Sequence, residues 1–169
     1  MNREILHPEE HAPDTGLAGL YQRHWLGLVR LAVLLVGDRE TAEDVVQDVF
    51  ARLHVRPAEN HTLAYARACV LNGARSALRR RAVSARRAEP SGGRVESAEA
   101  ATLLGESRQE MLTALSRLPR RQREVLVLRY YLDLSDAEIA AVARIRQSTV
   151  RSTAARALAR LQRELGGTA

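Results

Sequence analysis

The chain is 169 residues long and 46% hydrophobic but only 4% aromatic, so its core must be built from Leu, Val and Ala, which favours packed helices over a β-sandwich. All 26 basic residues are arginine, set against 20 acids for a net charge of +6; this suits a polyanionic partner, or arginines that merely solvate helix faces. One cysteine, Cys69, excludes an internal disulfide and a cysteine zinc site, and the longest apolar run, Leu31 to Val36, is far short of the ~20 residues of a membrane span. With no apolar stretch behind the first residues, a soluble, cytoplasmic protein is expected.

Residues 1–13 hold Pro8 and Pro13 and no periodic pattern, and a mobile N-terminal tail is expected there. Within them His7-Pro8-Glu9-Glu10-His11 has the spacing of a zinc motif, but Pro8 works against both histidines sharing a helix face, and no metal is expected. From Thr15 a helix carries Leu17, Leu20, Tyr21, His24, Leu28, Leu31 and Leu35 on one stripe, and Gly37 ends it. Asp38 is placed to cap a second helix whose buried face is Ala42, Val45, Val46, Val49, Phe50 and Leu53. The opening acids of that helix favour its dipole. His54 to His61, with Pro57, reads as a loop, and a third helix is expected over about 62–81. From 82 to 107 the pattern dissolves around Glu89-Pro90-Ser91-Gly92-Gly93, which predicts a flexible linker.

The second half is tidier. Leu112, Leu115 and Leu118 line a helix that stops before Pro119, and Val125, Leu128 and Leu132 line the next. Ser135-Asp136-Ala137-Glu138 is a capping box opening a short helix with Ile139 and Val142 inside. A tight turn at Ala143-Arg144-Ile145 leads to a last helix from Gln147 to Leu165. This predicts an all-α chain of two small helical domains joined by the linker, with no repeat.

Charge is segregated along this order. Residues 1–53 carry 5 Arg against 9 acids, 54–90 carry 8 against 2, 91–107 carry 1 against 3, and 108–169 carry 12 against 6. Two basic blocks flank an acidic spacer, and the first helices are acidic. A short helix, a tight turn and a longer helix form a helix-turn-helix pattern, whose second helix enters the major groove. In the last helix Val150, Ala154, Ala157, Leu158, Leu161 and Leu165 share one arc of about 100°. Arg151, Ser152, Ala155 and Arg156 share another. Arginine suits bidentate contact with guanine, and Ser148 and Thr149 at the helix start suit a phosphate. No nucleophile elbow, phosphate loop or paired carboxylate is present, so neither a catalytic site nor a cofactor is expected.

Leu118-Pro119, Arg123-Glu124-Val125, Leu134-Ser135-Asp136-Ala137-Glu138-Ile139-Ala140 and Ser148-Thr149-Val150-Arg151-Ser152 resemble region 4 of a bacterial sigma factor of the extracytoplasmic-function (ECF) group in the sigma-70 family. Gly37 to Phe50 resembles the region 2 signature. Tyr65 to Arg81, centred on Asn72, resembles that group's −10 helix. The small size and Arg-rich composition are most similar to actinobacterial members. The resemblance divides the chain into region 2 over 14–81, the linker over 82–107, and region 4 over 108–169. It implies a three-helix bundle followed by a helix-turn-helix domain, and initiation of transcription at promoters by a protein that is not itself an enzyme.

By that resemblance Glu43, Asp44, Gln47 and Asp48 would dock the clamp helices of the largest subunit of core RNA polymerase, and region 4 the flap of the second-largest. His54, Arg56, Asn60, His61, Tyr65, Asn72, Arg75, Ser76 and Arg79 would engage the −10 element as single-stranded DNA. Ser148, Thr149, Arg151, Ser152, Ala155 and Arg156 would recognise −35. An anti-sigma factor that clamps both domains is also implied. The chain departs from the pattern at Arg144, where Gly is usual and an Arg would either take the left-handed conformation at a cost of about 1 kcal/mol or force a different turn, at Arg146, where Pro is common, and at Tyr65, where Trp is common. A stand-alone helix-turn-helix regulator is the alternative, but it would not require the acidic second helix. A helical interaction module would not require the charge-segregated last helix.

Overall fold

A computed structural model describes residues 16–87 and 106–166, and among them every regular element is helical. The N-terminal segment with its two histidines, and the linker core over 88–105, lie outside the described residues.

Helix α1 (Leu17–Val36) stops at Gly37, whose φ of 93° is the left-handed conformation that glycine adopts without a Cβ penalty. Asp38 caps α2 (Arg39–His54) by accepting from the Thr41 amide at 2.8 Å. All six apolar residues expected on the inner face of α2 are buried. A short 3-10 turn (Ala58–Asn60) leads to α3 (Leu63–Arg87). That helix runs six residues past the expected Arg81 end. Residues 81–87 are exposed on every side, so no apolar stripe announces those last turns.

The three helices pack into a bundle, and α3 comes close to α2 at Gly73. A Cβ there would stand 2.8 Å from Cγ1 of the buried, χ1-stiff Val45. Close packing therefore accounts for a glycine in the middle of α3. Gly73→Val is expected to cost about 2–3 kcal/mol by overpacking, more than its gain in helix propensity returns. In a Val45→Ala background Gly73→Ala should lose its penalty. Urea unfolding of the single and double variants measures this, and a stabilised Gly73→Ala in the wild-type background would contradict it.

In the second unit α4 (Glu106–Ser116) is followed by α5 (Arg120–Leu126), which continues through a π-helical stretch (Val127–Tyr131). Ser135 and Glu138 make the expected reciprocal cap on α6 (Asp136–Ala143), and α7 (Gln147–Gly166) closes the chain. Between them Arg144 is left-handed, with φ 54° and ψ 51°. The turn thus keeps the geometry a glycine would take, and carries the strain of an Arg there, about 1 kcal/mol.

The inner face of α7 differs in part from its periodicity. Val150, Ala154 and Ala157 are buried, but Leu158 and Leu165 are each 38% exposed, and Thr153 is buried instead. Helical spacing gives the direction of a side chain, whereas coverage depends on the neighbours, and little covers the far end of this helix.

The two units share a core. Buried residues of α1, α2 and α3 form one continuous cluster with Leu112, Val125, Val127, Leu128, Ile139, Ala143, Val150 and Ala154. Across this seam the buried Arg123 donates to Leu35 O at 2.7 Å, and within its own unit to Ser116 O at 2.9 Å. Glu124, 2% exposed, accepts from Arg75 Nε at 3.0 Å and from Arg75 Nη2. Arg121 adds a bond to Glu124 at 3.2 Å and one to Ala143 O at 3.1 Å. Helix α1 has no basic residue in its own last turn. Arg123 on Leu35 O and Arg81 on Val36 O therefore meet its orphan carbonyls and its negative dipole end.

Candidate nucleic-acid interface

The carboxylates of α2 stand on its outer side. Asp44, Gln47 and Asp48 are exposed, and Glu43 is half-buried and held by Arg39 Nε at 2.6 Å. Asp44 and Asp48 lie one turn apart with no ion pair among the described residues. Like charges at that spacing weaken a helix by a few tenths of a kcal/mol. A basic partner surface would turn that cost into attraction.

The loop after α2 is tied down by His61, whose ring nitrogen lies 2.9 Å from Leu53 O at the end of α2. His61 is thus partly committed to holding its own loop, while His54 and Arg56 are exposed and Asn60 is half-buried. Thr62 caps α3 through the Tyr65 amide at 3.2 Å, and Tyr65 is 36% exposed. Along α3 the polar side chains pair with one another. Arg75 Nη1 donates to Asn72 Oδ1 at 3.2 Å, and Arg79 Nη2 to Ser76 Oγ at 2.9 Å. These side chains form one polar ridge, continued by Arg80 and Arg87 around an open hollow that also includes Val83 and Ser84. Arg75 is the exception, since its remaining donors go to Glu124 across the seam.

Arg81, the last of the triple arginine, is half exposed but turns its guanidinium onto the α1–α2 corner. It bonds Val36 O at 3.0 Å, Thr41 Oγ1 at 2.8 Å and Asp38 Oδ2 at 2.5 Å, and so staples α3 to the α1–α2 corner. Burial works to raise the Asp38 pKa, but the Thr41 amide and the Arg81 guanidinium outweigh it and hold the carboxyl below its usual range. The folded-state pKa being the lower one, the staple contributes above the ordinary carboxylate range and is lost as pH falls through the folded value.

On α7, Ser148, Thr149, Arg151, Ser152, Ala155 and Arg156 are all exposed on one side. Ser148 and Thr149 occupy the first turn, where free amides and the helix dipole favour an anion. Arg156 Nε donates to Ser152 O at 3.1 Å, and Ser152 Oγ to Thr149 O at 3.2 Å. Arg151 Nε donates to Asp136 Oδ2 at 3.0 Å. Ala155 sits between the two arginines with only a methyl group, too small to block a base edge. Sequence reasoning missed Asp136 here, and Arg81, Arg123 and Glu124 as clamps. Only the Ser135-to-Glu138 box near Asp136 was a local signal. Among the described residues no cluster of His, Cys, Asp and Glu could hold a metal, and no helix is long and apolar enough to cross a membrane.

Residues 20–83 match the family model for sigma-70 region 2, and residues 108–161 match that for sigma-70 region 4. The class is therefore a sigma-70-type transcription initiation factor with these two regions. Over 164 residues the chain is 32% identical to the ECF RNA polymerase sigma factor SigL of Mycobacterium tuberculosis, spanning 90% of this chain and 92% of the relative. The fold resembles the sigma factor RpoE in complex with the anti-sigma factor NepR from Bartonella quintana, with a TM-score of 0.64 at 22% identity over 88% of this chain and 97% of that one. It also resembles CnrH in complex with the cytosolic domain of CnrY, with a TM-score of 0.63 at 25% identity over 90% and 89% of the two chains. The chain belongs to the ECF group of the sigma-70 family, and it is a sigma factor that directs transcription.

Proposed function

We propose that this sigma factor binds core RNA polymerase through the outer face of α2, reads the −35 element with α7, and captures the −10 element with α3 and the loop before it. The protein acts in the cytoplasm with the polymerase and has no catalytic activity of its own. Clamp helices of the largest polymerase subunit meet Glu43, Asp44, Gln47 and Asp48, and the flap of the second-largest subunit meets region 4. An anti-sigma factor is the expected antagonist, in keeping with the two sigma factors of similar fold that were solved with such partners.

The observation that carries this reading is the pairing of an acidic outer face on α2, where Asp44 and Asp48 have no ion pair among the described residues, with a basic, exposed face on α7 in one chain. Separate surfaces of opposite sign suit one protein partner and one nucleic-acid partner. A stand-alone regulator has no use for the first of them.

Co-purification with core RNA polymerase, followed by run-off transcription on a genomic fragment library, tests the whole reading. Promoter-dependent transcripts are expected. Folded protein that ignores polymerase yet binds duplex DNA would favour the stand-alone regulator instead. Asp48→Arg should weaken polymerase binding at least about tenfold by setting like charges against each other, and leave duplex DNA affinity of the free protein no lower. Unchanged polymerase affinity would remove Asp48 from the docking surface.

A further inference from the structure

Arg151 is the most exposed of the ion-paired arginines on α7, with 71% of its side chain accessible, yet it is not loose. Its Nε donates to Asp136 Oδ2 at 3.0 Å. The other oxygen of that carboxylate accepts from Arg129 Nη2. Arg129 and Asp136 are both about three-quarters buried, at 27% and 24% side-chain exposure. Asp136 itself is the first residue of α6, fixed by the Ser135–Glu138 capping box, in which Ser135 N donates to Glu138 Oε2 at 2.7 Å. A rigid chain thus runs from the π-helical stretch, through the start of α6, out to an exposed guanidinium on α7.

We propose that Asp136 is a positioning residue for the −35 contact, holding Arg151 so that its two terminal amino groups form an outward fork that demands guanine. This rests on the proposed role of α7 in reading −35. A guanidinium offers two edges for paired hydrogen bonds, one of which includes Nε. With Nε engaged by Asp136, the edge left free is the end-on one made by Nη1 and Nη2, which matches O6 and N7 of guanine in the major groove. The same restraint removes much of the rotamer entropy that a long exposed side chain would otherwise lose on binding. A phosphate contact depends less on such a fixed direction, because the phosphate oxygens can be met from several sides, whereas O6 and N7 of a guanine are met only edge-on. The anchored geometry therefore favours a base-reading role for Arg151. Arg156 is restrained differently, by a carbonyl of its own helix, and has no carboxylate behind it among the described residues.

The test is selection of duplexes from a library randomised across the −35 element, using the full-length protein bound to core RNA polymerase. Wild type, Asp136→Asn, Arg151→Ala and the double variant are compared, with thermal melts to establish that each is folded. Arg151→Ala should remove a guanine preference at one position. Asp136→Asn should reduce that preference about fivefold at the same position, change the other positions little, and have no further effect when Arg151 is already alanine. Arg129→Gln, which loosens the anchor while keeping Asp136, should give the same signature more weakly and serves if Asp136→Asn fails to fold. If Asp136→Asn lowers binding to all sequences alike, or still acts in the Arg151→Ala background, Asp136 is a structural residue of α6 and the proposal is overturned. If Arg151→Ala removes the guanine preference while neither anchor variant changes it, the proposal falls and the reading role of α7 stands. If Arg151→Ala leaves every base preference intact, both fall for this residue.

Discussion

Glu124→Ala is expected to lower the stability of the full-length protein by about 3 kcal/mol, because it leaves Arg75, only 16% exposed, without the carboxylate that balances it. For a chain of this size the thermal midpoint should fall by roughly 6–12 °C. The loss reports the cost of an uncompensated charge, so it does not measure the net worth of the pair. Replacing both partners, as Arg75→Met with Glu124→Leu, should bring the protein back to within about 1 kcal/mol of wild type. Arg121, which also bonds Glu124, keeps its bond to Ala143 O and is 44% exposed, so water takes over its charge at little cost. A Glu124→Ala protein that melts like wild type would show that Arg75 needs no carboxylate partner at the seam.

The second large effect concerns DNA. Arg156→Ala, like Arg151→Ala, should cost about 1–3 kcal/mol of −35 affinity, roughly 5- to 150-fold, and relax selection at the base pair it meets. Truncation leaves the packing of α7 intact, since both side chains point away from buried Val150, Ala154 and Ala157. Melting temperature should therefore change little while sequence selection changes much. By contrast, losing a phosphate contact at Ser148 or Thr149 should weaken binding evenly across sequences. Competition between duplexes that differ at single −35 positions separates the two. An even loss across all duplexes for Arg156→Ala would assign that arginine to the backbone.

What could be read from the sequence shares one property: the interacting groups are neighbours along the chain. The Gly37 stop, the Asp38 cap on Thr41, the Ser135–Glu138 box and the inner face of α2 all involve residues a turn or a few turns apart. Local stereochemistry alone dictates them. The exposed face of α7 and the ridge from Asn72 to Arg79 were legible for the same reason, being simple consequences of helical period.

The remainder depends on which elements meet, and no local pattern carries that. Arg81 looked like one more basic residue at a helix end, yet it serves Val36 and Asp38, more than forty positions earlier. Arg75 was grouped with the −10 face, and two of its donors instead cross to Glu124. Arg123 and Glu124 stood out only as part of the family motif, because a charged residue in sequence does not announce that it will be buried. At Arg144 the motif left a strained left-handed residue and a different turn both open, and the packing of α6 against α7 takes the first.

The seam between the regions has a thermodynamic consequence. A protein of two helical units joined by a linker would ordinarily melt in two independent steps, each with its own midpoint. Here the apolar cluster is continuous from α1 to α7, and a buried guanidinium from α5 closes the carbonyl end of α1. Neither unit can unfold without exposing part of the other's interior. Stability is thus pooled across both described units, and a substitution deep in region 4 lowers the melting of region 2 as surely as one made within it.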